Sequence, residues 1–123
     1  MEKIYTKNAP EAIGPYSQAI KSGNILFTSG QIAINPQSSR VEANDIKGQT
    51  EQVCKNISAL LEASGTSFDK VIKTTCFLAD MSDFAVFNEI YATYFTSKPA
   101  RSCVAVKTLP KNVLVEIEVI AEI

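Results

Sequence analysis

"PARSCVAVKTLPKNVLVEIEVIAEI", residues 99 to 123, decides how this chain folds. Its two apolar runs, 101 to 107 and 113 to 123, read as strands joined by "TLPKN", where a proline suits the connection. In the second run Val113, Val115, Ile117, Val119, Ala121 and Ile123 alternate with Glu116, Glu118 and Glu122, so one face of that strand belongs to a core. Leu114 and Ile120 share the charged face, a mixture that suits a subunit interface as well as a monomer with a few exposed apolar residues. If both strands turn a single apolar face to the helices, Ser102, Val104 and Val106 join the core face. Arg101, Cys103, Ala105 and Lys107 then fall on the side of Glu116 and Glu118.

Upstream, the period changes. From Asp45 to Ser64, Ile46, Val53, Ile57, Leu60 and Leu61 recur at helical spacing, with Asn44 or Asp45 as N-cap and Gly65 just past the end. "KVIKTTCFLA", residues 70 to 79, is a short β-branched run that reads as a strand. A second helix follows, capped by Ser82 or Asp83, with Phe84, Phe87, Tyr91 and Tyr94 or Phe95 in one core stripe before Pro99. In the first third, "KIYT", "YSQAIKSG" and "NILFTSGQIAI" read as short strands of a small antiparallel sheet, separated by Gly23 and Asn24 and by "NPQSSR". The order predicts an α+β two-layer fold with helices on one side of one sheet, a single domain over 1–123.

Composition narrows the chemistry. Twelve basic and thirteen acidic residues give a net charge of −1, which offers no grip for a phosphate backbone, so nucleic acid is not expected as the main partner. No apolar leader or membrane-length run is present, and a cytoplasmic protein with no membrane partner is expected. Cys54, Cys76 and Cys103 lie far apart without a CxxC pair, so they read as reduced thiols, with neither a disulfide framework nor a metal site. The absence of histidine excludes Ser-His-Asp and Cys-His nucleophile pairs. The glycines lack nucleotide-binding spacing, and no cofactor is expected.

Arg101 has two readings: a cross-strand ion pair with a glutamate, or a fork for a substrate carboxylate, with a nearby glutamate holding water and moving protons. Cys103, lacking a base to activate it, reads as a small packing residue whose backbone N–H faces the site. "IGPYSQAI", residues 13 to 20, uses Gly14 and Pro15 to hold Tyr16 where the chain enters a strand, and Gly30 in "TSGQIA" marks a bulge or a close backbone approach. Both features also occur as ordinary turns and bulges.

Together "GPYSQA", "SGQIA", "PARSCVAV" and "LPKNVLVEIEVIA" resemble the RidA/YjgF family over nearly the whole chain and in the family's order. The resemblance implies a chorismate-mutase-like fold assembled as a homotrimer with clefts between subunits. It further implies hydrolysis of reactive 2-enamino and 2-imino acids (2-aminoacrylate, 2-iminopropanoate, 2-iminobutanoate) to 2-keto acids and ammonia. Such substrates would come from pyridoxal-phosphate dehydratases. Carried over residue by residue, Arg101 would hold the substrate carboxylate with the backbone around Cys103 and Gly30. Glu116 would position water and shuttle protons, Tyr16 would line the cleft, and Asn88 would lie near the ligand. One departure is a short loop, "YFTSKPARS", before Arg101, which would alter the rim of the cleft. The competing reading is a regulatory protein that binds small carboxylates without turning them over.

Overall fold

Asp45 starts the first helix as the sequence predicts: its backbone is extended and its Oδ1 accepts the Gly48 N–H at 2.8 Å, filling one of the donors a helix start leaves open. In the computed structural model, which describes residues 1–123, this helix, α1, runs Ile46–Ala63. It ends where the Ser64 hydroxyl donates to the Leu60 carbonyl at 2.7 Å and Gly65 takes φ +80. Val53, Ile57, Leu60 and Leu61 on one face are all but fully buried.

Strands β1 (Glu2–Ile4), β2 (Ala19–Ser22) and β3 (Ile25–Thr28) form an antiparallel meander, with Gly23 at φ +60 in the β2–β3 turn. A small hairpin of β4 (Ile34–Asn35) and β5 (Arg40–Val41) spans the "NPQSS" stretch. After α1 come β6 (Val71–Leu78), α2 (Phe84–Tyr94), β7 (Ala100–Ala105) and β8 (Val115–Glu122). The main sheet has the order β1-β2-β3-β8-β6-β7, antiparallel throughout except for β6 and β7. That parallel pair is joined through α2, because parallel neighbours need a crossover. Both helices pack on one sheet face, where Cys54, Ile57, Phe87 and Tyr91 meet Val115, Ile117 and Val119 in one core. The expected α+β arrangement is present, and the aromatic stripe of α2 is core: Phe87, Tyr91 and Phe95 are buried, with Phe84 and Tyr94 packed beside them.

Three expectations need correction. The second helix is preceded by a single 3-10 turn, Met81–Asp83; Asp83 stands at the helix N-cap but its side chain makes no capping hydrogen bond, and the side-chain cap belongs to the turn, where the Asp80 Oδ1 accepts the Ser82 N–H at 2.8 Å. Leu114 packs against the core rather than standing on the charged face, and its N–H donates to the Gln49 Oε1 at 2.8 Å. The largest correction concerns β7. It does not lie beside β8; β6 runs between them, pairing Thr74 with Arg101 and Cys76 with Cys103 on one side, and Thr74 with Val119 and Cys76 with Ile117 on the other. Arg101, Cys103 and Ala105 therefore share the helix-covered face with Ile117 and Val119, while Ser102 and Val104 share the open face with Glu116 and Glu118. Val104, read as core, is 48% exposed, because β7 is an edge strand whose apolar positions look away from the helices.

Candidate active site

Glu116 sits on the open face of the sheet, opposite Phe77. It is half-buried, and loss of hydration, followed by the like charge of Glu118, pushes its carboxyl above the ordinary value. Gly30 explains how the carboxylate fits: a Cβ at that position would overlap the Glu116 carboxyl, so only glycine permits the approach. The neighbouring N–H groups of Ser29 and Gln31 donate to the carbonyls of Gln18 and Ile117 at 2.9 and 2.8 Å, whereas the Gly30 N–H has no partner. It is a free donor next to an acid.

Tyr16 closes the same region. Gly14 adopts φ +133, its carbonyl accepts the Tyr16 N–H at 2.9 Å, and the tyrosine is left 53% exposed. Tyr16, Gly30 and Glu116 line one cavity of about 500 Å³ together with Ile13, Ile32 and Lys111. Its loop wall is held by a residue the sequence reading passed over. Gln18, 3% exposed, accepts the Thr6 N–H at 2.8 Å and donates to the carbonyls of Thr6, Ala9 and Pro10 at 3.0, 3.3 and 2.8 Å. Its place in "GPYSQA", directly before a strand, was the available signal. Asn56 does the same from α1, donating to the carbonyls of Ile32 and Ile34 at 3.1 and 2.9 Å.

Arg101 belongs to a second cavity, of about 470 Å³, which it lines with Asn88 and Tyr91. Its Nη1 donates to the Asn88 Oδ1 at 2.7 Å, and its Cζ stands 4.8 Å from the Tyr91 ring centroid and 5.5 Å from that of Phe84. The cross-strand ion pair does not form: Arg101 faces away from Glu116 and Glu118, and its one side-chain partner is an amide. The guanidinium is thus held in place with its charge uncompensated, the state expected of an anion receptor.

Cys103 follows on β7. The Val106 N–H donates to the Leu78 carbonyl at 2.9 Å, which fixes the ladder phase: even-numbered residues of β7 pair with β6, and Arg101, Cys103 and Ala105 turn their N–H groups to the open edge. The Cys103 backbone is therefore available beside the arginine, while its thiol packs against the core. Burial raises the thiol pKa of all three free cysteines, that of Cys76 to about 12, so none is a thiolate near neutrality. No group of three or more Cys, Asp or Glu side chains converges as a metal site, and no helix is long and apolar enough to cross a membrane.

Within one chain, then, two groups of site residues form. Tyr16, Gly30 and Glu116 are brought together, and so are Asn88, Arg101 and Cys103, but the two groups lie on opposite faces of the sheet.

A family model described as Endoribonuclease L-PSP matches residues 6–123. The chain belongs to the YjgF/RidA family. It is 60% identical to a RutC family protein of Pyrococcus horikoshii, over 98% of this chain and 96% of that protein. It is 48% identical to the chloroplastic Reactive Intermediate Deaminase A of Arabidopsis thaliana, over 98% of this chain and 65% of that protein. The Rid family protein YyfA of Yersinia pestis superposes with a TM-score of 0.97 at 54% identity, covering 99% of this chain and 98% of that one. The RidA resemblance first seen in "PARSCVAV" and "LPKNVLVEIEVIA" is therefore a family relationship over the whole fold.

Proposed function

We propose that this chain is a deaminase of 2-imino and 2-enamino acids, acting in clefts shared between copies of itself. The observation that carries the reading is Arg101: a guanidinium fixed by Asn88 and two aromatic rings with no acidic partner, next to the unpaired Cys103 N–H. Its remaining edge matches a carboxylate, which every such substrate carries. Glu116 and the free Gly30 N–H supply the second requirement, an acid–base group with water access. Since a single chain holds the two halves on opposite sheet faces, the working site needs a neighbour that lays Glu116, Gly30 and Tyr16 against the Arg101 edge. The homotrimer implied by the family resemblance provides such clefts.

The chemistry asks little of the protein. With its carboxylate on Arg101, the imine carbon is held beside a water that Glu116 orients. Water adds to the C=N carbon and passes a proton to Glu116. Glu116 returns that proton to the imine nitrogen to give the carbinolamine, then takes the hydroxyl proton as the C=O bond forms and passes it to the nitrogen as the C–N bond breaks, giving ammonia and a 2-keto acid. An enamino acid first takes a proton at its β-carbon to become the imine. No histidine, metal or cofactor is needed for these steps. The endoribonuclease activity in the family description suits this chain poorly, since it has no histidine and a net charge of −1.

The test is ammonia and keto-acid release from a 2-imino acid freshly generated by an amino-acid oxidase, with the parent, with Arg101→Ala and without protein. The proposal expects acceleration by the parent alone. Spontaneous rates in all three arms, across several imino acids, would contradict it and leave a binding protein.

A further inference from the structure

The support behind Arg101 extends further than Asn88. Thr74 is the direct cross-strand partner of Arg101, so both side chains leave the sheet on the helix-covered face. The Thr74 hydroxyl, fully buried, shares a 2.8 Å hydrogen bond with the Tyr91 hydroxyl. The Tyr91 ring, 6% exposed, is stacked on Phe95 at 4.3 Å and 21°, and Phe95 meets Phe68 edge-on at 5.0 Å. The ring is pinned at its hydroxyl and backed on one side. Arg101 lies against it, its Cζ 4.8 Å from the centroid. Tyr91 and Asn88 are three residues apart on α2, so one helix face supplies both the ring and the amide that take the guanidinium.

We infer that Tyr91, fixed by Thr74, is a positioning residue that sets the plane of the Arg101 guanidinium for the substrate carboxylate. The inference rests on the deaminase reading for its functional consequence. Asn88 alone fixes Nη1 and leaves the plane free to rotate about that bond; the ring removes this freedom. The Nε and Nη2 edge, which has no hydrogen-bond partner within the chain, is then held ready to donate two parallel hydrogen bonds to a carboxylate. Tyr91 touches no reacting atom in this scheme, so its effect belongs in binding and not in the chemical step.

Two readouts separate this role from a purely structural one. The first compares KM, kcat and the calorimetric dissociation constant for 2-oxobutanoate among the parent, Tyr91→Leu, Tyr91→Phe and Thr74→Val. Tyr91→Leu is expected to raise KM and the dissociation constant together by about threefold to tenfold, with kcat within about twofold of the parent. Tyr91→Phe, which keeps the ring and loses the pin, should recover most of that loss, and Thr74→Val should behave like it. The second readout is the Arg101 Nε–H resonance at mildly acidic pH, assigned by its loss in Arg101→Lys. Ring current displaces it in the parent, Tyr91→Leu moves it to the position of exposed arginines, and the other two variants move it part-way. Should Tyr91→Leu fail to fold, an Arg101 resonance unmoved in both Tyr91→Phe and Thr74→Val overturns the inference. So does a folded Tyr91→Leu with parental KM and resonance. A parent that neither binds 2-oxobutanoate nor turns over an imino acid defeats the deaminase reading, while the resonance still decides what holds Arg101.

Discussion

Glu116 ties the site to pH. Its carboxyl is raised from the ordinary 4.5 chiefly by burial, so the folded state binds its proton more tightly than the unfolded chain does. Stability from this group is therefore full at low pH and declines as pH rises from the ordinary value through the raised one. Glu116→Gln should unfold at a higher temperature than the parent at neutral pH, the gap closing in acid, while the variant loses its activity; thermal melts across pH check this. If ionised Glu116 orients the water, kcat/KM falls on the acid side with an apparent pKa above 4.5. Gly30→Ala should displace the carboxylate and cut turnover at least tenfold without unfolding, a result that activity and circular dichroism would show together. Arg101→Lys keeps the charge but loses the fork, and should weaken carboxylate binding by about 1.5–3 kcal/mol. Arg101, Gly30 and Glu116 were legible as candidates through the family resemblance, because a glycine in a strand pattern and charges on a polar strand face are by themselves also ordinary features. Gln18 and Asn56 were not, since a buried amide that clamps a distant loop has no period to betray it.

At the scale of elements, α1 and β8 were readable because each has one strongly apolar face and one core to meet. Asp45→Ala should cost about 1 kcal/mol, the usual worth of an N-cap, seen as a lower denaturation midpoint with unchanged activity. β7 was misread for a physical reason. Val104 within it and Val106 just past its end look like core residues, yet an apolar position tells only that a surface avoids water, not which surface covers it. The inward positions went to Arg101, Cys103 and Ala105 because an edge strand beneath α2 leaves room for a guanidinium against Tyr91 and Phe84. That inversion is what separates Arg101 from Glu116 within one chain.

Over the whole molecule, the open sheet face gathers Ile20, Phe27, Phe77, Val104 and Ile120 among lysines and glutamates, with Phe27 46% exposed. Such a face suits burial against copies of the same chain. Phe27→Asp should therefore yield a folded monomer on sizing columns, with deaminase activity lost although no site residue has changed. The central proposal, that each site takes its arginine from one copy and its glutamate from another, has a direct test: unfold Arg101→Ala and Glu116→Gln together, refold the mixture, and measure imino-acid hydrolysis. Each variant alone should be inactive. In the mixture half the chains carry an intact arginine and half an intact glutamate, so about one quarter of the clefts, and of the parental rate, should return. A mixture as inactive as its components would show that no site is shared between copies and would contradict the account.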